Sequence, residues 1–164
     1  MKYKNLCISA VLYSASIVYA ATPFVVSTGG LEVSDSKTGL IWKRCVEGMV
    51  FDGITCKGTP LGFFSHEVAL AHARDFSINT GVAWRMPNIK ELQSITDTTR
   101  YGPAIDIVAF PETPGTYHLS SSPHVNLSSN VWLVNFYIGS TEPFYRTHNY
   151  SFATYYLRLV RSNQ

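Results

Sequence analysis

The chain is short of cysteine, of net charge and of long apolar runs. Its 164 residues include three cysteines, 13 Lys or Arg and 11 Asp or Glu, which gives a formal net charge of +2 at pH 7. Two of the basic residues precede the longest apolar run, so the remainder of the chain is expected to carry 11 basic and 11 acidic side chains. Proteins that bind nucleic acid or heparin-like polyanions by counterion release carry a basic surplus or stripe. The composition therefore argues against a nucleic-acid partner.

The first 20 residues have the pattern of a secretory signal peptide. Two lysines precede the apolar run LCISAVLYSASIVYA, which is too short to cross a bilayer as a stable helix and ends in small residues. Val18 and Ala20 occupy the positions that a signal peptidase recognises, which predicts cleavage between Ala20 and Ala21. No later run is long enough to span a membrane. We therefore expect an exported protein, periplasmic, cell-surface or secreted, in which residues 21–164 form a single domain.

Cys45 and Cys56 are the two cysteines outside the signal peptide. An even pair of cysteines in an oxidising compartment predicts a disulfide. In the loop-closure model, a ring this small stabilises the fold by roughly 2–3 kcal/mol. A redox or metal-binding pair is the alternative, and the absence of a CxxC spacing or a second cysteine pair disfavours it.

Apolar periodicity predicts an α+β domain with two helices between N-terminal and C-terminal strands. The predicted strands are 24–33, 39–45, 117–121, 131–138 and 155–161, and the predicted helices are 65–79 and 88–96. Ser65 is suited to cap the first helix, and Asn88 followed by Glu91 has the spacing of a capping box at the second. After Asp97 the chain is rich in Gly, Pro, Ser and Thr, which predicts a long loop-rich segment.

The three tryptophans are predicted to lie in the core. Trp42 faces inward in the predicted hairpin of the first two strands, and Trp84 and Trp132 are interpreted in the same way. Arg85 is predicted to donate to buried backbone carbonyls beside Trp84.

Three motifs carry a family resemblance. They are DSKTGLIWKRC at 35–45, WRMPNIKEL at 84–92 and YYLRLVRS at 155–162. With these motifs, the stretch from about Val33 to Arg161 resembles the Lcl C-terminal domain family, whose members are mostly exported bacterial proteins. The resemblance implies a C-type-lectin-like fold, in which two helices pack on antiparallel strands. Two places depart from the family pattern: His118 and Leu119 stand where many members carry Trp before the serines, and Ala73 stands where a Cys is often found.

The residue patterns that mark catalytic and metal sites are incomplete. His66 and His72 lie six residues apart on the predicted helix, whereas a helical two-histidine site needs a spacing of four, so both are expected at the surface. The serines at 120–122 lack the strained turn or oriented base that a nucleophile needs. Calcium-dependent lectins carry Glu-Pro-Asn or Gln-Pro-Asp, whereas this chain has Phe144 at the third position. We therefore expect no enzymatic activity, no metal ion and no cofactor.

Aromatic residues are concentrated between positions 137 and 156, interleaved with polar ones. Rings with a polar edge are good contact residues for sugars and proteins, because they bury area at low entropic cost. We predict that the binding residues lie in a turn-like run between strands and are Tyr145, Arg146, His148 and Tyr150. The alternative is that these rings fill the core beneath a long loop, which is the interpretation for Phe144 and Tyr155.

The signal-peptide pattern predicts an exported protein, and the resemblance to the Lcl C-terminal domain family implies a bacterial recognition module. It is expected to act as an adhesin or a surface-assembly subunit and to bind a glycan or a protein ligand at the cell surface without catalysis. The alternative is a structural periplasmic or pilus-associated subunit that docks to a partner chain. An enzyme is a third possibility, and it requires a site assembled from His118, His124 or His148, which their spacing does not indicate.

Overall fold

The computed structural model describes residues 22–146 and 154–163, which form a mixture of strands and helices. This mixture confirms the α+β class. In chain order the elements are β1 (Phe24–Val26), β2 (Glu32–Asp35), β3 (Leu40–Lys43), β4 (Val50–Phe51), β5 (Cys56–Lys57), α1 (His66–Thr80), α2 (Ile89–Ser94), β6 (Tyr117–Pro123), β7 (Asn130–Asn135), β8 (Ser140–Tyr145) and β9 (Val160–Ser162).

A four-stranded antiparallel sheet joins the two ends of the domain. Its strand order is β1-β2-β3-β9, so the late strand β9 pairs with β3. Trp42 lies opposite Val33 on one side and opposite Val160 on the other, and all three side chains are fully buried. The inward position predicted for Trp42 is therefore confirmed.

The single strand predicted at 24–33 is wrong, because the segment folds into two antiparallel strands, β1 and β2. Gly30 has a φ of 71°, a left-handed conformation that glycine adopts without steric cost. Its N–H donates a 2.8 Å hydrogen bond to the carbonyl of Ser27, which closes the turn. The apolar pattern runs through both strands, so the glycine pair at 29–30 is the signal that the prediction overlooked.

Both helices begin as predicted. Ser65 accepts a hydrogen bond from the N–H of Val68 at the start of α1, and Gly81 ends that helix in the left-handed conformation. At α2 both bonds of the capping box are present. The Glu91 N–H donates to Asn88 Oδ1 at 2.9 Å, and the Asn88 N–H donates to Glu91 Oε2 at 2.8 Å.

A three-stranded antiparallel sheet, ordered β6-β7-β8, contains the largest departures from prediction. The predicted strand at 131–138 ends at Asn135, and the chain turns through Gly139 into β8. Strand β8 was not predicted, because its sequence STEPFY begins with three polar residues and contains Pro143. At 155–161 only the end is in a strand, and Tyr155 and Tyr156 make isolated bridges to Phe63 and His118.

Arg158 is a buried cation, although the arginine predicted to donate to buried carbonyls was Arg85. Arg158 is fully buried and donates to the main-chain carbonyls of Lys43 and Arg44 and, at 2.6 Å, to Thr113 Oγ1. Arg85 was predicted to donate to buried carbonyls beside Trp84, and it does so at one position, where its Nη1 donates to the carbonyl of the buried residue Met86 at 3.4 Å. Its guanidinium is partly exposed and pairs with Glu91 at 2.7 Å.

A disulfide joins Cys45 and Cys56, whose Cα atoms are 5.6 Å apart, which confirms the predicted pairing. The bond connects the first residue of β5 to Cys45, which lies just after β3. Within residues 22–146 and 154–163, no helix combines the length and apolarity that crossing a membrane requires.

Candidate binding surface

The predicted binding residues fall at the end of β8. Tyr145 is the last residue of this strand, and 61% of its surface is exposed. Arg146 follows it and is partly exposed. His148 and Tyr150 lie outside the described residues, so their position relative to Tyr145 stays a prediction.

Arg146 anchors the end of β8 to two other parts of the domain. Its Nε donates a 2.9 Å hydrogen bond to the carbonyl of Ser128, and its main-chain N–H donates to the carbonyl of Ser129 at 2.8 Å. Its own carbonyl accepts from the N–H of His66, the first residue of α1. Nη1 is 3.9 Å from a carboxylate oxygen of Glu67. These contacts hold the adjacent Tyr145 in place, because they immobilise the main chain that follows it.

The pairing of β7 and β8 brings further aromatic surface to Tyr145. Asn130 lies opposite Tyr145, and Trp132 lies opposite Pro143. Residues directly opposite each other, and residues two apart in a strand, share one face of a sheet. The His124 ring packs against Trp132 in a tilted arrangement, with ring centroids 4.9 Å apart and an interplanar angle of 30°. We call His124, Trp132, Pro143 and Tyr145 the aromatic surface.

Trp132 was predicted to be a core residue, and this prediction is wrong, because the ring is only partly buried. Its neighbours Val131 and Leu133 are fully buried on the other face of β7. The two-residue period of a strand therefore places Trp132 opposite them, a signal that was present in the sequence. The partner strand β8 was missing from the prediction, so nothing indicated that Tyr145 shares this face.

The loop between β6 and β7 extends this region with apolar side chains. Val125 has 92% of its surface exposed, and Leu127 is also exposed. Val125 directly follows His124, which belongs to the aromatic surface.

His66, which was expected at the surface, and His118, which was a candidate for an enzymatic site, are both buried. His66 was expected at the surface, yet it is 3% exposed, and its Nε2 lies 3.0 Å from the carbonyl of Ser120. Burial lowers the pKa of its imidazole. His118 is fully buried against the ring of Phe136, and burial, helped by the charge of Arg158, lowers its pKa to about 3. Both rings are therefore neutral at pH 7.

The hydroxyls near these histidines are engaged in structural hydrogen bonds. Ser120 Oγ donates to the carbonyl of Trp132 at 2.6 Å, and Ser122 Oγ accepts from the N–H of Ile89. The Glu142 carboxylate accepts hydrogen bonds from the hydroxyls of Tyr117 and Ser140. Among the residues that the structure describes, no three His, Cys, Asp or Glu side chains come together in a group that could hold a metal ion.

The comparisons with known proteins place the chain in a family. No curated protein and no solved structure matches it. The family model described as the Lcl C-terminal domain matches residues 31–161, a range that includes the disulfide, both helices and the aromatic surface. Because this match covers most of the chain, the protein belongs to the Lcl C-terminal domain family.

Proposed function

We propose that the protein is an exported recognition module with a C-type-lectin-like fold, which binds a glycan or protein ligand without catalysis. The aromatic surface is the observation that supports this function. It has a partly buried tryptophan and an exposed tyrosine on the same face of a sheet, with a histidine ring packed against the tryptophan. Rigid amphipathic rings are effective contact groups, because few rotamers are lost when they are immobilised by a ligand.

The geometry favours a surface that binds through side chains over one that docks a partner strand. Strand β8 is at the edge of its sheet, where an added strand could pair with its main chain. Pro143 lies in the middle of β8 and has no N–H to donate, which is a feature that protects edge strands from such pairing. The structural subunit that docks to a partner chain is therefore the second candidate.

The charge balance supports an uncharged or weakly charged ligand. After the expected cleavage the chain carries equal numbers of basic and acidic residues. The cation beside the aromatic surface, Arg146, is partly used by the carbonyl of Ser128. Binding is thus expected to weaken only slightly when salt rises to moderate concentrations, because screening acts on charge–charge attraction. Added calcium or a chelator is expected to leave binding unchanged.

A substitution at Tyr145 tests this proposal against a matched tyrosine. Tyr145→Ala and Tyr101→Ala each remove an exposed ring, 61% and 68% exposed respectively, and neither is expected to shift the melting temperature by more than a few degrees. Binding is measured on a glycan array and to host cells. Tyr145→Ala is expected to abolish binding, and Tyr101→Ala is expected to retain it. Adding Tyr150→Ala to the Tyr145 variant extends the test to the residues outside the described part.

Three outcomes contradict the proposal. Undiminished binding of a stable Tyr145→Ala variant places the interface elsewhere. Loss of binding in both the Tyr145→Ala and the Tyr101→Ala variant shows that binding is not specific to the aromatic surface. A protein that binds no glycan or cell, but that co-purifies with a partner chain independently of Tyr145, supports the docking subunit instead.

A further inference from the structure

Two exposed tyrosines, Tyr101 and Tyr137, pack against each other at the surface. Their ring centroids are 4.4 Å apart, and the ring planes are tilted by 57°. Tyr101 is 68% exposed and Tyr137 is 45% exposed, so solvent reaches both rings. Tyr137 lies in the turn between β7 and β8, at the end of this hairpin opposite to Tyr145. The pair is therefore separate from the aromatic surface.

The hydroxyl groups of the two rings also meet. A hydrogen bond with the Tyr137 side chain is the main cause that raises the pKa of Tyr101. In a tyrosine ring the two Cε carbons flank the carbon that carries the hydroxyl. Because the hydroxyls and the ring centroids are both close, a Cε carbon of one ring lies near a Cε carbon of the other.

Main-chain hydrogen bonds hold the two tyrosine segments together. The N–H of Gly102 donates to the carbonyl of Tyr137 at 2.9 Å, and the N–H of Ala104 donates to the carbonyl of Phe136 at 2.6 Å. The N–H of Tyr137 donates to Asn135 Oδ1 at 2.9 Å. These bonds fix the main chain beside both rings, so the fold itself keeps the two phenols in contact.

Two glycines allow the main chain to approach the Tyr137 ring closely. A Cβ added at Gly102 would lie 3.0 Å from Tyr137 Cε2, and a Cβ added at Gly115 would lie 3.5 Å from Cδ2. The Tyr137 ring thus contacts main chain as well as Tyr101, which restricts its rotamers. The ring is therefore held beside Tyr101.

We propose that Tyr101 and Tyr137 form an oxidative cross-linking site, at which hydrogen peroxide, acting through a peroxidase, joins the two rings as dityrosine. Each phenol gives up one electron and its hydroxyl proton and becomes a phenoxyl radical. The two radicals pair their electrons in a new bond between Cε carbons. Each of these carbons then releases its hydrogen as a proton, and each phenol oxygen takes up one proton. The net loss of two electrons and two protons reduces one peroxide molecule to two water molecules.

The structure distinguishes this pair from a second contact between tyrosines. The rings of Tyr117 and Tyr155 have centroids 6.4 Å apart and planes at 86°. Tyr155 is only 1% exposed, and the Tyr117 hydroxyl donates to the Glu142 carboxylate at 3.1 Å. An oxidant in solvent therefore reaches the pair of Tyr101 and Tyr137 but not Tyr155. Cross-linking is expected at the first pair alone of these two.

The new bond ties the segment that follows α2 to the turn between β7 and β8. A covalent bond between residues distant in the chain stabilises the fold by constraining the unfolded state. The cross-linked protein is therefore expected to melt several degrees higher than the untreated protein. This role does not rest on the proposed function, because it requires no glycan or protein ligand.

Treatment of the dilute, disulfide-intact protein with a peroxidase and hydrogen peroxide tests the proposal. The expected product is a monomer lighter by two hydrogen atoms, with dityrosine fluorescence and one pair of peptides joined through Tyr101 and Tyr137. Low protein concentration favours reaction within one molecule, because the two rings are already in contact.

Substitutions by phenylalanine locate the cross-link, because phenylalanine keeps the ring and cannot form a phenoxyl radical. Tyr101→Phe is expected to lower the yield of cross-linked monomer about tenfold or more. Tyr145→Phe is the matched control, since Tyr145 is 61% exposed and is not part of the pair. This control is expected to keep the yield of the unsubstituted protein. Melting curves of the untreated variants verify that both are folded.

Four results would overturn the proposal. The first is dityrosine that appears only between molecules, as dimers on a denaturing gel. The second is an equal yield of cross-linked monomer in the Tyr101→Phe variant. The third is no dityrosine at all in a solution where free tyrosine is converted, and the fourth is a cross-linked monomer that melts no higher than the untreated protein. Ligand binding is measured on untreated protein, so failure here leaves the proposed function standing, and the reverse also holds.

Discussion

The buried ring of His118 is expected to make the fold sensitive to mild acid. Its Nδ1 donates to the carbonyl of Thr116 at 3.1 Å, while Nε2 is buried and has no hydrogen-bond partner among the described residues. Burial lowers the pKa of this imidazole to about 3 in the folded protein, against an ordinary value of 6.5 in the unfolded chain. As pH falls below 6.5, the unfolded state therefore takes up a proton that the folded state does not.

The size of the effect follows from proton linkage. A group with a lowered folded pKa contributes stability above its unfolded pKa, and this stability is lost as pH falls toward the folded value. Between pH 7 and pH 5 the loss from His118 alone is about 2 kcal/mol. Any folded pKa below about 4 gives the same figure, because the native ring is then still neutral at pH 5. The pKa of His66 is also lowered by burial and acts in the same direction.

Urea unfolding followed by tryptophan fluorescence measures this loss at pH 7 and pH 5. His118→Leu is expected to lose about 2 kcal/mol less than the wild type over this interval, since its side chain has no proton to take up. Effects of the substitution on packing cancel, because each protein is compared with itself at two pH values. His124→Leu is the control, and it is expected to keep the loss that His118 causes. A His118→Leu variant with the full wild-type pH dependence would refute the reasoning.

Three further predictions follow from particular residues. Gly30→Ala is expected to lower the unfolding free energy in urea by more than Gly39→Ala does. The two glycines have nearly equal φ values of 71° and 70°, and of the two only Gly30 lacks room for a Cβ. Equal losses of unfolding free energy would contradict the close approach of the Phe51 ring to Gly30. Asn88→Ala is expected to cost about 1 kcal/mol of unfolding free energy through the lost cap, and no measurable change would show that the capping box contributes nothing. Mass spectrometry of protein exported by its host is expected to find Ala21 at the N-terminus after cleavage behind Ala20, and an N-terminus displaced by more than a residue or two would contradict the predicted boundary.

Features whose causes are local were predictable from the sequence. The caps at Ser65 and Asn88 were correct because a cap needs only the side chain and the main chain of the next turn. The disulfide was correct because the candidates were limited to Cys45 and Cys56. The family was recognisable from motifs that contain Trp42 and its neighbours, and the family match bears this out.

Features that depend on partners far along the chain were missed. Strand β8 begins with three polar residues and contains a proline, and it is a strand because β7 supplies its hydrogen bonds. Arg158 lies in a segment whose sequence predicts an alternating strand, yet both faces of this segment are buried. The guanidinium of Arg158 donates to the carbonyls of residues more than 100 positions earlier in the chain. No local pattern contains those carbonyls, so burial of the charge could not be anticipated.

The candidate site also combines features that have local causes with features that depend on residues distant in the sequence. The sequence by itself determined that the chain is α+β, where its two helices begin and which cysteines pair. Tertiary structure decided that Trp132 and His124 join Tyr145 on one face, that His66 is buried, and that the guanidinium of Arg158 is enclosed in the interior. Helix caps and short disulfide loops are decided within a few residues, whereas a surface is created only when strands distant in sequence are brought into register.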